Sequence, residues 1–257
     1  MTFQAYIFDL DGTIYLGDHL LPGARVTVLR LRESGKKVLF LSNKPIENRD
    51  AYAKKLTRLG IPTETEDVLN SSFVASLYFG KQEPKPRIYV IGEASLVDEL
   101  NRAGLTLAEV PEETDVVLIS LDRDLTYEKI HFAYRAAKMG ARVWATNPDL
   151  VCPMPNDEII DAGATIAALE AILRRPIDGL IGKPSELMIQ TVLDHLQLSA
   201  EQCVIVGDRL ETDILMGKAG GMATALVLTG ISSVKDITTL KIQPDFVLKS
   251  IEEVLSI

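Results

Sequence analysis

The sequence predicts an α/β fold, with a parallel sheet in the core and a second α/β segment inserted into it. Short apolar runs typical of buried strands alternate with segments of helical periodicity along most of the chain. Two charged, proline-containing stretches, 81–87 and 174–179, interrupt this alternation. The chain has 257 residues, 47% of them hydrophobic, which suffices for one large or two modest domains with sizeable cores.

The first part of the chain reads as strand, helix, strand, helix. The pattern predicts a strand at 6–8, a loop or short flap at 14–23, a helix at 24–34, a strand at 37–41 and helices at 49–59 and 71–79. Continuous apolar strands separated by helices are typical of a parallel sheet that is buried on both faces.

The alternation starts again after residues 81–87 and once more after 174–179. Between these stretches the pattern predicts strands at 88–91, 116–120 and 142–145 and helices at 95–103, 127–139 and 164–173. Beyond them it predicts a helix at 185–196, strands at 202–206, 223–228 and 244–248, and a C-terminal helix. We therefore assign 81–180 to an inserted α/β domain, and 1–80 with 181–257 to the core.

Composition excludes several classes of function. The formal charge is −9, and no stretch dense in lysine and arginine could neutralise a nucleic acid. No apolar run reaches the roughly 18 residues of a membrane-spanning helix, and the N-terminus does not resemble a signal peptide. We expect a cytoplasmic protein without nucleic-acid or membrane partners. The two cysteines suggest neither a disulfide framework nor a metal site; Cys203 is expected to be buried and Cys152 exposed.

Polar side chains follow the predicted strands of the core. Asp9 and Asp11 come at the end of the first strand, about 7 Å apart along the chain, and two such charges require a cation or a proton between them. Since the carboxyl ends of parallel strands share one edge of a sheet, further groups from other segments are expected to join this pair: Ser42, Asn43, Lys183, Asp208 and Asp213.

This set of residues suits phosphoryl transfer. Oxygen ligands favour Mg²⁺, and a metal-neutralised Asp9 could attack phosphorus to form an aspartyl-phosphate. Asp11 could protonate the leaving oxygen and later deprotonate a water. Ser42 and Lys183 could bind the oxygens on which charge collects. The stretch 122–126 repeats the spacing with Asp122 and Asp124 within the insertion, but it lacks the glycine turn and is expected to cap the helix that begins at Tyr127.

The stretch Asp9-Leu10-Asp11-Gly12-Thr13, Ser42, Lys183 and Gly207-Asp208 with Asp213 resemble, in order, the four motifs of the haloacid dehalogenase superfamily. Three further stretches resemble the NagD-like, 4-nitrophenylphosphatase-type subgroup: the flap at 15–18 with 22–24, and residues 145–149. Its members have a Rossmann-like core and a large α/β cap of the C2 type between the second and third motifs.

The resemblance implies a role for each motif residue. Mg²⁺ would be held by the Asp9 carboxylate, the Asp11 backbone carbonyl and Asp208, with Asp213 anchoring the metal's waters or Lys183. Phosphate would be bound by Ser42, Asn43 and Lys183. Separately from the resemblance, the cap loop 147–152 is expected either to contact the substrate through Asn147 or to be a plain surface loop.

The expected function is hydrolysis of small phosphate monoesters, with sugar phosphates as the first choice and 4-nitrophenyl phosphate as a generic substrate. Two alternatives stay open. A phosphotransferase or mutase would return the phosphate instead of releasing it, and a non-hydrolytic sensing module would only form the aspartyl-phosphate. A homo-oligomer formed through the cap is a further expectation.

Overall fold

A computed structural model describes residues 3–154 and 157–257, and its elements are numbered along the chain. The strands are β1 (Ala5–Asp9), β2 (Tyr15–Leu16), β3 (His19–Leu20), β4 (Lys37–Ser42), β5 (Val68–Asn70), β6 (Arg87–Ile91), β7 (Thr106–Leu107), β8 (Val116–Ile119), β9 (Arg142–Ala145), β10 (Val151–Met154), β11 (Asp157–Ile160), β12 (Gly179–Leu180), β13 (Cys203–Gly207), β14 (Ala223–Val227) and β15 (Phe246–Leu248).

The helices alternate with the strands, as the apolar pattern predicts. They are α1 (Ala24–Glu33), α2 (Arg49–Arg58), α3 (Ser71–Gly80), α4 (Ala94–Arg102), α5 (Tyr127–Lys138), α6 (Ala162–Leu173), α7 (Glu186–Leu196), α8 (Leu215–Gly220) and α9 (Val234–Leu240).

The chain divides into two compact units. The first comprises 1–42, 49–69 and 183–257, and the second comprises 43–48 and 70–182. The boundaries predicted from sequence, 80/81 and 180/181, stay a prediction; this division differs from them mainly in assigning α3 to the second unit. The reason is local, since Tyr78 and Phe79 at the end of α3 pack on the ring of Trp144 in β9.

The first unit is built on a six-stranded sheet in the order β15-β14-β13-β1-β4-β5. β1 lies centrally and pairs in parallel with β4 and β13, with Phe8 opposite both Phe40 and Val206. These aromatic and β-branched side chains are fully buried, as expected for strands covered on both faces. The register brings the carboxyl ends of β1, β4 and β13 together, so the residues that follow these strands are neighbours.

The second unit has its own sheet and core. Its five strands are parallel, in the order β12-β9-β8-β6-β7. Val117, Ile119 and Val143 pack on Leu169 of α6 in one buried cluster. The strands β10 and β11 form an antiparallel pair beside this sheet. The α/β prediction is thus correct for both the core and the insertion.

The expected exposure of Cys152 was wrong. Cys152 is buried rather than exposed, because it lies in β10 and not in a loop. The expected C-terminal helix is present as a 3₁₀ helix over Ile251–Ser256. The helix cap expected within 122–126 is confirmed, since the Thr126 side chain accepts the Lys129 N–H at the start of α5; Asp122 pairs with the Lys129 side chain at 2.6 Å. Among the described residues, no helix is both long and apolar enough to cross a membrane.

Candidate active site

A buried lysine joins two carboxylates at the carboxyl edge of the six-stranded sheet. Lys183 Nζ lies 2.5 Å from Asp9 Oδ1 and 2.6 Å from Asp213 Oδ1. The side chains of Lys183 and Asp213 are only 2% and 1% exposed, which makes this ion-pair cluster a feature of the interior. Three residues that are far apart in sequence therefore meet at one point in the first unit.

Asp208 completes an acidic cluster around this point. One carboxylate oxygen each from Asp9, Asp208 and Asp213 lies within 4.8 Å of the others. A set of carboxylate oxygens suits a hard divalent cation such as Mg²⁺, and three buried negative charges with one lysine leave an excess of negative charge. Both the donor chemistry and the charge therefore fit the Mg²⁺ predicted from sequence.

The electrostatics of the cluster favour a bound cation. Burial raises the pKa of Asp9 well above its usual range, and the nearby charges of Asp213 and Asp208 raise it further, although Lys183 opposes the shift. Burial and the charge of Asp213 raise the pKa of Asp208 to about 6. Below about pH 6 a proton therefore competes with a cation for Asp208. In the metal-free protein, ionisation of this carboxyl lowers the free energy of unfolding as the pH rises towards 6.

Lys183 is held in its charged form. Burial alone would lower the pKa of this amine, but the charges of Asp213 and Asp9 and their hydrogen bonds outweigh burial, and the net pKa is raised. The side chain is therefore a charged ammonium group at neutral pH, and it can donate hydrogen bonds to an anion at Asp9.

The chain after β13 is shaped to deliver Asp208 and Asp213 together. β13 ends at Gly207, and residues Leu210–Ile214 form a single π-helical turn that carries Asp213; such turns are frequent at functional sites. Asp213 Oδ2 accepts a hydrogen bond from the Arg209 backbone N–H at 3.1 Å. A Cβ at position 207 would lie 2.2 Å from Asp213 Cγ, so the turn requires glycine there.

Ser42 and Asp11 lie in segments adjoining Asp9. Ser42 is the buried last residue of β4, one position beyond the Leu41 that pairs with Asp9. Asp11 is half-buried and follows the end of β1, which stops at Asp9. Because Asp11 lies beyond the end of the strand, the alternation of side chains along a strand does not determine on which side Asp11 lies. Its position is set instead by the turn, in which the Gly12 N–H donates to the Tyr15 carbonyl at 2.8 Å.

The remaining two predicted residues belong to the second unit, where they share an acceptor. The amides of Asn43 and Asn147 donate to Asp149 Oδ2 at 3.1 and 3.2 Å, and Asn147 also donates to Asp161 Oδ1 at 2.9 Å. Both side chains are buried. Both amide hydrogens of Asn147 are engaged in these hydrogen bonds. Direct contact of Asn147 with phosphate stays a prediction, as does that of Asn43.

Sequence reasoning missed one segment of the first unit, residues 229–232, which follows β14. The Ile231 N–H donates to Asp208 Oδ2 at 2.7 Å, and Thr229 Oγ1 donates to the Gly12 carbonyl at 2.7 Å. The sequence does contain a clue to this segment. It comes just after β14, a parallel strand next to β13, and ligand sites form at the carboxyl ends of such strands.

Comparison with known proteins identifies the family of this chain. The family described as haloacid dehalogenase-like hydrolase matches residues 6–106, and a HAD-hydrolase-like family matches 180–254. The sugar-phosphatase AraL of Bacillus subtilis is 42% identical over 96% of this chain and 90% of its own length.

Solved structures extend the likeness to the whole chain. A 4-nitrophenylphosphatase from Thermotoga maritima superposes with a TM-score of 0.93 at 32% identity, covering 99% of this chain and 97% of its own. NagD from Escherichia coli K-12 superposes with a TM-score of 0.87 at 31% identity, covering 98% of each chain.

The chain belongs to the haloacid dehalogenase-like hydrolase family. Within that family it is a phosphatase, with the core and inserted α/β cap of the NagD-like, 4-nitrophenylphosphatase-type subgroup.

Proposed function

We propose that the protein is a Mg²⁺-dependent phosphatase that hydrolyses small phosphate monoesters, foremost sugar phosphates, through an aspartyl-phosphate on Asp9. The observation that carries this proposal is the convergence of Asp9, Lys183, Asp208 and Asp213 within the first unit. The similarity to AraL, a sugar phosphatase, supports the choice of substrate class.

In the first half-reaction, Asp9 is the nucleophile. A carboxylate oxygen of Asp9 forms a bond to phosphorus while the bond from phosphorus to the ester oxygen breaks, and Asp11 gives its proton to the departing alcohol. Lys183, already 2.5 Å from Asp9 Oδ1, would donate to a phosphoryl oxygen as charge develops on it, and Ser42 would bind another.

In the second half-reaction, the same groups act in reverse order. Asp11, now ionised, accepts a proton from a water whose oxygen attacks phosphorus, and the bond from phosphorus to Asp9 breaks. Inorganic phosphate leaves and Asp9 is again a carboxylate. Asp213 holds the Lys183 ammonium in place at 2.6 Å through both steps.

Asp9 and Asp208 would hold the metal, together with the Asp11 backbone carbonyl that the family resemblance implies. When bound, Mg²⁺ supplies positive charge against the clustered carboxylates and the incoming phosphate. In this assignment Asp213 binds Lys183 and does not bind the metal. The reason is that Asp213 Oδ1 contacts Lys183 Nζ and Asp213 Oδ2 accepts the Arg209 N–H.

Four finer points belong to the same proposal. Asn43 would bind phosphate next to Ser42, and Asn147 would contact the substrate from the cap. A cytoplasmic location fits the small phosphorylated metabolites expected as substrates. Assembly into a homo-oligomer through the cap stays a prediction.

The proposal is tested by phosphate release from a panel of sugar phosphates, other phosphorylated metabolites and 4-nitrophenyl phosphate, measured with Mg²⁺ and with chelator. We expect release of phosphate from 4-nitrophenyl phosphate and from at least one sugar phosphate, and at least a hundredfold loss in chelator, because the carboxylates then repel the substrate.

Product analysis separates this function from its alternatives. Isomerised sugar phosphate with little free phosphate would instead indicate a mutase. Formation of a phosphorylated protein without turnover would indicate a sensing module. Full activity in chelator would contradict the metal requirement.

A further inference from the structure

We infer that residues 229–232, which we call the clamp segment, position Asp208 for metal binding and thereby form a fifth functional element of the site. The inference rests on the proposed Mg²⁺-dependent function and adds residues to it. The clamp segment lies in the first unit, just beyond the end of β14. It makes two hydrogen bonds with Asp208 and two more with the neighbouring residues Leu210 and Gly12.

Two of these hydrogen bonds fix Asp208 itself. The Ile231 N–H donates to Asp208 Oδ2 at 2.7 Å, and the Ser232 N–H donates to the Asp208 backbone carbonyl at 2.9 Å. The first of them occupies one oxygen of the carboxylate and so sets its rotation. Partners of this kind orient metal ligands, and their loss commonly weakens metal binding 10–100-fold.

The space around Asp208 is closed by two glycines. A Cβ at Gly230 would lie 1.9 Å from Asp208 Oδ2, and a Cβ at Gly12 would lie 2.6 Å from the same atom. Gly12 also has a φ of +84°, which favours glycine independently. At Gly230 the close approach to the carboxylate alone explains the residue, so its role is specific to Asp208.

The clamp segment also links the other parts of the site. Ser232 Oγ accepts the N–H of Leu210 at 3.0 Å, at the start of the turn that carries Asp213. Thr229 Oγ1 donates to the Gly12 carbonyl at 2.7 Å, in the turn that carries Asp11. One short segment thus joins the two loops that bear Asp208, Asp213 and Asp11.

The test measures binding of Mg²⁺ alone to the metal-free protein by titration calorimetry, together with the Mg²⁺ dependence of 4-nitrophenyl phosphate hydrolysis. Gly230→Ala removes the space for Asp208, and Thr229→Val removes one hydroxyl without changing side-chain shape. We expect Mg²⁺ affinity to fall at least tenfold in Gly230→Ala and about three- to tenfold in Thr229→Val.

Matched controls separate positioning from general disturbance. Thr229→Ser keeps the hydroxyl and should retain most of the affinity. Gly80→Ala adds a Cβ whose nearest neighbour is 3.8 Å away, and Thr239→Val removes a hydroxyl that bonds only to its own helix; both should bind Mg²⁺ as wild type does. If Gly230→Ala fails to fold in chelator, the inference is tested by the Mg²⁺ affinities of Thr229→Val and Thr229→Ser, of which only the first should be lowered.

Unchanged Mg²⁺ affinity in folded Gly230→Ala and Thr229→Val, alongside a wild type that binds Mg²⁺ and turns over, would overturn this inference alone. A wild type that neither binds Mg²⁺ nor hydrolyses phosphate esters would overturn both the inference and the proposed function.

Discussion

Replacing Asp9 with asparagine is expected to abolish turnover of 4-nitrophenyl phosphate, with a loss of about 10⁴-fold or more, because no other group can form the covalent intermediate. The fold should persist. The pKa of Asp9 is raised by burial and by the charges of Asp213 and Asp208, so its ionised form destabilises the metal-free protein. The neutral amide should therefore leave the melting temperature in chelator unchanged or higher.

The measurement compares kcat and thermal unfolding of Asp9→Asn with those of Asp124→Asn. Asp124 belongs to the similar Asp122-Arg123-Asp124 stretch in the second unit and is exposed, so its variant should match wild type in both. Turnover in Asp9→Asn within tenfold of wild type would remove Asp9 from the nucleophile role. A large drop in melting temperature would indicate that Asp9 acts mainly as a structural partner of Lys183.

Replacing Lys183 with methionine is expected to damage both activity and stability. The variant leaves Asp9 and Asp213 buried without their shared cation, and removing one partner of a buried ion pair typically costs about 3 kcal/mol or more in the free energy of unfolding. Turnover should fall steeply because the phosphoryl oxygens lose a charged donor. Urea unfolding in chelator measures the first effect, and phosphate release with Mg²⁺ measures the second.

Lys218→Met is the matched control for this variant. Lys218 pairs with Asp245 at 2.6 Å, but both side chains are about 40% exposed, and an exposed pair contributes roughly 1 kcal/mol or less. Equal loss of stability in the two variants would mean that the Lys183 cluster is not the buried ion-pair network described above. In Lys183→Met, added Mg²⁺ should recover part of the lost stability, since a cation then replaces the missing charge.

The sequence allowed prediction of the α/β architecture and of the residues at the edge of the first sheet. Continuous apolar runs such as the one at 37–41 have few alternatives to a buried parallel strand. Once those strands are parallel, their carboxyl ends must share an edge, which is why Asp9, Ser42 and Asp208 could be grouped from positions far apart in the chain.

Other features depend on tertiary contacts that no local pattern reveals. The buried state of Cys152 depends on the pairing of β10 with β11, which the proline-containing sequence of this stretch did not suggest. The engagement of both amide hydrogens of Asn147 depends on Asp149 and Asp161. The role of Gly230 depends on its approach to Asp208, 22 positions earlier, whereas in sequence it is only a glycine after a strand. Local propensity carries no information about such distances.

The most direct test of the account is to identify the residue that carries the phosphoryl group. In Asp11→Asn, 4-nitrophenyl phosphate should still phosphorylate the protein, because its leaving group needs little protonation, but hydrolysis of the intermediate should be slow for want of a base. We predict that acid quenching with ³²P-labelled substrate gives a hydroxylamine-sensitive label on the peptide containing Asp9. A label on a peptide that lacks residue 9 would contradict the account.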